Sequence, residues 1–408
     1  MLTSSIRSGR GRAVASAALG MLLVGIASVP AHAESIRSQQ WHLDILGAEK
    51  IWKISTGKGV TVAVIDSGVD KKNPDLLGRV LDGKDLAPEA RGDEHTDYAG
   101  HGTGMAGLIA GTGQSGGGDG AFGLAPGVKI LPIRLPDGEE GAGSQADADR
   151  EFNKIAPGAI KYAADSGAKV INISMGFNSG SQELTDAVKH ALDKGALVFA
   201  AVGNSADKGN EAEYPGATPG VVGVGAIDKK LTKTAESQYG PQVDLVAPGD
   251  QMVHACGNDT GLCKSHGTST ATAIASAAAA LIWSKHPDWT NHQVLKVMLN
   301  TIKVPAGGEK RNDHVGYGAI RPLRALKTPG DPGPADVRPI PDLAPAASAS
   351  PSTAPSETAE QPAAPAPAPA PVAQEKESNT GLWIGLGIGA AVLIGAAVAV
   401  PIVRSRRG

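Results

Sequence analysis

The chain of 408 residues contains two cysteines, 3% aromatic residues and a formal net charge of only −3. Each shortage excludes something. Two cysteines cannot staple a small disulfide scaffold, and a chain this long carries enough apolar side chains to build a core without one. Without an excess of Lys and Arg there is no electrostatic footprint for a polyanion, and so few aromatic rings leave little for bases to stack on. Nucleic acid is therefore not expected as a partner. No His and Cys recur at zinc-ligand spacing, so neither a metal nor another cofactor is expected. What the chain has in quantity is Gly, at 54, and Pro, at 28, and these are unevenly distributed.

At the amino end, Arg7, Arg10 and Arg12 precede an uncharged stretch from Ala13 to Val29 that closes on Ala31-His32-Ala33. A basic region, an apolar region and an A-x-A site make a secretory signal peptide over residues 1–33, the alternative being an uncleaved anchor. At the other end, 22 uncharged residues from Leu382 to Val403 run into Arg404, Arg406 and Arg407. Such a run is long enough to cross a bilayer, and the basic cluster prefers the cytoplasmic side, so a single membrane span over 380–403 with a tail at 404–408 is expected. Gly385 and Gly389 have the spacing that packs two such helices, a pattern that also arises readily in Gly/Ala-rich spans. Between globule and span, residues 329–379 hold 13 of the 28 prolines. Alternating Pro and Ala favours extended polyproline II, so this segment is expected to be a disordered spacer, or a ligand for a partner that reads such helices.

The remainder is expected to be one globular unit. Runs rich in Val and Ile recur at 60–65, 128–135, 170–174, 197–202, 221–226 and 243–247, with helical patterns at 155–165, 183–194 and 269–285 between and after them. Strands apolar on both faces that alternate with helices predict a parallel sheet covered on both sides, an α/β domain. In such sheets chemistry sits at the carboxyl ends of strands. Three segments near such ends carry an acid, an imidazole and a hydroxyl beside glycines: Asp66-Ser67-Gly68, His101-Gly-Thr-Gly104 and Gly267-Thr268-Ser269. Together they suit a relay in which the acid orients the imidazole, the imidazole deprotonates the hydroxyl, and the hydroxyl attacks a carbonyl. Taken singly, each is as readily a turn or a helix cap.

Their surroundings carry more weight. VAVIDSGVD (62–70), HGTGMAG (101–107), VINISMG (170–176), AAVGN (200–204) and HGTSTATA (266–273) closely resemble, in order, the blocks of subtilisin-like serine proteases. The order Asp, His, Ser is also the subtilisin order. The resemblance implies a three-layer fold with a mostly parallel central sheet and a catalytic triad of Asp66, His101 and Ser269. It implies an oxyanion hole from the Asn204 side chain and the Ser269 backbone N–H, and a substrate-pairing segment at Ser174, Met175 and Gly176. A protein or peptide is the implied substrate. Calcium sites occur in many members of the family, but no ligand loop can be assigned here, and Gly113–Gly120 reads only as Gly-rich and flexible.

The chain departs from the family pattern after the nucleophile, where Thr270, Ala273 and Ala277 stand in place of the usual Met, Pro and Gly. None of the three bonds to substrate, so activity is still expected. His266, three residues before Ser269, reads as a loop or packing residue, and His95, in Asp93-Glu-His-Thr-Asp97, as a solvated loop residue, not a ligand. Cys256 and Cys263 lie seven apart just before Ser269, and in an exported chain a disulfide is expected between them, two free thiols being the alternative. A short amino-terminal extension, subtilase-like domain, Pro-rich spacer and single span resemble the mycosins, membrane-anchored subtilases of actinobacterial type VII secretion. That likeness implies a catalytic domain on the outer face of the cell membrane and an association with the secretion machinery. A structural component with weak or dispensable proteolysis is the competing expectation.

Overall fold

The computed structural model describes residues 35–136, 144–257, 261–305 and 307–343. The expected signal peptide, the expected span and the greater part of the expected spacer lie outside them. Among the described residues no helix is long and apolar enough to cross a membrane.

Seven strands form one parallel sheet: β1 (Thr61–Asp66), β2 (Lys84–Asp85), β3 (Lys129–Arg134), β4 (Val170–Ile173), β5 (Leu197–Ala201), β6 (Val222–Ile227) and β7 (Leu245–Pro248). Their spatial order is β2-β3-β1-β4-β5-β6-β7. Alternation along β1 explains why both faces are apolar. Val62 and Val64 join one core and Ala63 and Ile65 the other, so every second residue serves a different layer. One face is covered by α4 (His101–Ala110), α7 (Thr268–Lys285) and α8 (Asn291–Thr301), the other by α5 (Gln145–Asp165) and α6 (Gln182–Asp193). The expected three-layer α/β arrangement is thus present. A hairpin, β8 (Met252–Ala255) and β9 (Leu262–Ser265), stands apart from the sheet and leads into α7.

The helices begin where hydroxyls allow it. Ser144 Oγ accepts from the backbone of Asp147 and Ser181 Oγ from that of Leu184, so α5 and α6 open on side-chain caps. The start at Gln145 puts α5 ten residues ahead of the expected Ile155, because its first turns are polar and lack the apolar period. α7 is buried over nearly its whole length, and its run of alanines lets it lie close against β4, β5, β6, β7 and α4. Ala273 and Ala277 are fully buried within it, and Thr270 Oγ1 donates to Gly267 O at 2.8 Å. The departures from the family pattern therefore leave the helix continuous and the added hydroxyl satisfied.

Both ends of the described chain dock on this body. Ahead of β1 lie three short helices, α1 (Ile36–Gln39), α2 (Trp41–Leu46) and α3 (Ala48–Trp52). Gln40, fully buried, donates to Phe122 O and Val253 O and accepts from Phe122 N, while Trp41 donates to Asp250 O. At the other end, α9 (Pro322–Lys327) is followed by a tail that corrects the expected start of the spacer. Residues 329–343 pack on the domain: Ile340 is in the core, Asp342 accepts from Gly220 N at 2.9 Å, and Ala335 O accepts from Thr290 Oγ1 at 2.7 Å. Pro in this tail permits an extended path, but specific partners hold it in one place.

Candidate active site

The candidate residues stand at or just after the carboxyl ends of the adjacent strands β1, β4 and β5 and at the starts of α4 and α7. Asp66 ends β1 and is almost fully buried. Its Oδ1 accepts from Ser67 N at 2.8 Å and from His101 Nδ1 at 2.7 Å, which places an imidazole proton on Nδ1. Two glycines make this approach possible. A Cβ on Gly102 would stand 2.1 Å from Gly68 O and 3.0 Å from the Asp66 side chain, so only a glycine lets the first turn of α4 sit against the end of β1. Gly68 has φ +117 and approaches Thr96 O as closely.

Asp97, which stands in no family block, organises the start of α4. Its carboxylate accepts from Ser67 Oγ at 2.8 Å, Gly100 N at 2.8 Å and Thr103 N at 2.7 Å, and Ser67 Oγ accepts from Gly102 N in turn. Orphan N–H groups at a helix start favour an anion there. Burial nevertheless pushes the Asp97 carboxyl above its ordinary value, against the hydrogen bonds from Thr103 and Ser67. The signal was an acid three residues ahead of the glycine at which the helix begins.

Ser269 lies in the first turn of α7, where a backbone N–H has no partner within the helix. It trades two bonds with the candidate substrate-pairing segment: Ser269 Oγ donates to Ser174 O at 2.8 Å, and Ser174 Oγ donates to Ser269 O at 3.0 Å. The hydroxyl proton is therefore held on Ser174 O. Beneath this pair runs a buried polar chain. Ser276 Oγ donates to Asn172 Oδ1 and Asn172 Nδ2 to Ser174 Oγ, both at 3.0 Å, fixing β4 to α7 below the hydroxyl. Neither Asn172 nor Ser276 was singled out from sequence, although a polar residue inside an apolar run is a legible sign.

Asn204 follows β5 and is exposed. Its Oδ1 accepts from Thr268 N at 2.8 Å and from Thr268 Oγ1 at 3.1 Å. That assigns the amide orientation, with Oδ1 the acceptor and Nδ2 the donor beside Gly267. Met175 is half-buried against the α5/α6 core, and Gly176 touches Glu213.

Cys256 and Cys263 form a disulfide with 5.7 Å between their Cα atoms. The hairpin it closes reaches further than Ser269. Gly257 lies against Asp97 O and the Cα of Gly100, and Cys256 O accepts from Asn73 Nδ2 at 2.7 Å, so the clasp borders the His101 side as well. His266 is exposed, with Nδ1 3.4 Å from Glu236. His95 differs from the expectation of a solvated residue: its side chain is only 8% exposed and Nε2 faces Asp82 and Glu94 at 3.4 and 3.3 Å. The Gly-rich segment 113–120 is likewise organised, since the Asp75 carboxylate accepts from Ser115 N, Ser115 Oγ and Ala121 N.

An α/β domain that gathers an acid, an imidazole and a hydroxyl at the carboxyl ends of parallel strands, beside an amide donor, has the build of a serine hydrolase. The chain belongs to the subtilase family of serine endopeptidases (peptidase S8), whose profile matches residues 57–318. Among curated relatives, thermitase of Thermoactinomyces vulgaris is 35% identical over 249 residues, covering 61% of this chain and 83% of that protein. Subtilisin E of Bacillus subtilis is 36% identical over 241 residues, and there the chain spans 59% of the relative's own length. Among solved structures, the MycP3 protease from the type VII (ESX-3) secretion system is 30% identical with a TM-score of 0.62, covering 71% of this chain and 88% of that one. A chain in the periplasmic assembly of the ESX-5 inner membrane complex is 28% identical with a TM-score of 0.63, covering 85% and 92%.

Proposed function

We propose that the chain is a serine endopeptidase in which Asp66, His101 and Ser269 act as the triad. The observation that carries this reading is the 2.7 Å bond from His101 Nδ1 to Asp66, two residues 35 apart that have no reason to meet for stability alone. With Nδ1–H held by the carboxylate, His101 Nε2 takes the Ser269 proton as Oγ bonds to the carbonyl carbon. The carbonyl oxygen becomes an oxyanion facing Asn204 Nδ2 and the Ser269 N–H. His101 then returns the proton to the amine as the C–N bond breaks, and water releases the acyl group by the same steps reversed. Ser174, Met175 and Gly176 supply main chain for the substrate to pair with as an added strand.

The setting is part of the proposal. The signal peptide and the apolar run near the carboxyl end support a domain held on the outer face of the cell membrane with a cytoplasmic tail, and the likeness to MycP3 supports work alongside type VII secretion. A second reading, in which the domain serves mainly as a structural part of that machinery, is favoured by the likeness to a chain of the ESX-5 periplasmic assembly. Full-length protein in detergent, assayed on a peptide library beside Ser269→Ala, separates the two. A triad enzyme loses turnover by roughly 10⁴-fold or more in the variant. Equal turnover removes the triad assignment, and turnover by neither favours the structural role.

A further inference from the structure

The side chain of Glu213 enters the site from outside the family blocks. Its carboxylate accepts from Ser205 Oγ at 3.0 Å and Gln238 Nε2 at 2.8 Å, and the Asn204 backbone N–H donates to it as well. It lies between two glycines. A Cβ on Gly176 would stand 2.2 Å from Glu213 Oε2, and one on Gly203 would stand 2.5 Å from Glu213 Cδ. Gly176 closes the substrate-pairing segment and Gly203 precedes the oxyanion residue. The two walls are tied together just beyond, where Phe177 and Tyr214 exchange backbone hydrogen bonds of 2.9 and 2.7 Å.

Any substrate placed for attack is constrained by these same walls. Its reacting carbonyl carbon lies at Ser269 Oγ, its oxygen faces Asn204, and the backbone on the acyl side pairs along 174–176. The side chain of the residue that owns that carbonyl then points between 174–176 and 203–205, where the Glu213 carboxylate stands in the room that the missing side chains of Gly176 and Gly203 leave. Resting on the endopeptidase reading, we propose that Glu213 makes this site select a basic residue, Lys or Arg, on the acyl side of the scissile bond. A cationic side chain that reaches in between these walls gives the carboxylate a charge-assisted partner, whereas an acidic one meets like charge partly out of water. Burial pushes the Glu213 carboxyl above its ordinary value, which is the direction expected of an acid held partly out of water that a cation would relieve.

The test uses the full-length protein in detergent and a peptide series that differs only at that residue: Lys, Arg, Met, Ala and Glu. Wild type is expected to cleave the Lys and Arg peptides with kcat/KM about tenfold or more above the Met peptide, and the Glu peptide least. Glu213→Gln is expected to bring the Lys to Met ratio towards one, and Glu213→Asp to keep it above one. A wild-type preference for Ala would overturn the inference by showing that Glu213 shortens the subsite and does not pair with a cation, and this measurement does not depend on any variant folding. An unchanged ratio in Glu213→Gln would also overturn it while leaving the endopeptidase reading intact. Cleavage of none of the peptides, by wild type or variants, removes the endopeptidase reading and the inference together.

Discussion

Thr268 fixes the orientation of Asn204: its backbone N–H and its hydroxyl both donate to Asn204 Oδ1, at 2.8 and 3.1 Å, and Thr268 is itself the first residue of the helix that carries Ser269. The proposed oxyanion donor and nucleophile are thereby indexed to one helix terminus. Gly267, with φ +111, makes room, since a Cβ there would stand 3.0 Å from that oxygen. Two graded substitutions follow from this geometry. Asn204→Ala should lower kcat by about 10²–10³ with little change in KM, the range for removing such a donor from a subtilisin. Thr268→Val keeps the backbone anchor and loses the hydroxyl, so its kcat should fall less, by roughly tenfold. A Thr268→Val effect confined to KM would show that the pair does not position the oxyanion donor.

Asp97 should matter to both stability and rate. Its carboxylate joins Ser67 to the first N–H groups of the helix that begins at His101. Asp97→Ala leaves those donors without the cap, a loss of about 1–2 kcal/mol in unfolding free energy by comparison with other helix caps. Because His101 is the first residue of that helix, kcat should drop along with the midpoint of thermal unfolding. A variant that loses stability yet keeps full kcat at low temperature would confine Asp97 to a scaffold role.

How much of this was legible in sequence depends on the range of the interaction. The strands at Val62–Ile65 and Leu197–Ala201 read clearly, because a sheet buried on both faces demands unbroken apolar runs. β2 could not be read. Lys84 and Asp85 are polar and are a strand only through pairing with Ile133 and Arg134. The candidate triad stood out because Asp66, His101 and Ser269 each sit in a distinctive local block. Glu213 has no such block, since Gly176 and Gly203 become its neighbours only when the sheet forms. The tail at 329–343 misled for a related reason: its composition is that of a spacer, and Ile340 is its one buried apolar anchor.

The Cys256–Cys263 clasp gives a redox prediction. It closes a loop of eight residues in the hairpin that borders both Asp97 and the start of α7. Loop closure of that size is worth about 2–3 kcal/mol in the chain-entropy account. Reduction, or Cys256→Ser with Cys263→Ser, should therefore lower unfolding stability by about that amount. It should also quicken proteolytic nicking within 257–262. If the double variant unfolds at the same denaturant midpoint as wild type, the clasp contributes nothing to the folded state.

His42 sets an acid limit on the fold. Its ring is fully buried and neither ring nitrogen has a hydrogen-bond partner. Desolvation, followed by the nearby His254 and Arg37, lowers its pKa from 6.5 to about 3. The unfolded chain thus binds a proton at this site over a pH range in which the native chain does not. Stability from the neutral ring is complete above pH 6.5 and declines as the pH falls from there towards about 3, with a slope of about 1.4 kcal/mol per pH unit from this group. Replacing His42 with Gln, which cannot titrate, should flatten that part of the stability profile. Chemical unfolding of wild type and His42→Gln at pH 7.5 and 5 measures the difference. The gap between the two pH values should be smaller in the variant, by about 2 kcal/mol if the ring stays neutral throughout. An identical gap would mean that the native state accommodates the protonated ring and that acid sensitivity arises elsewhere.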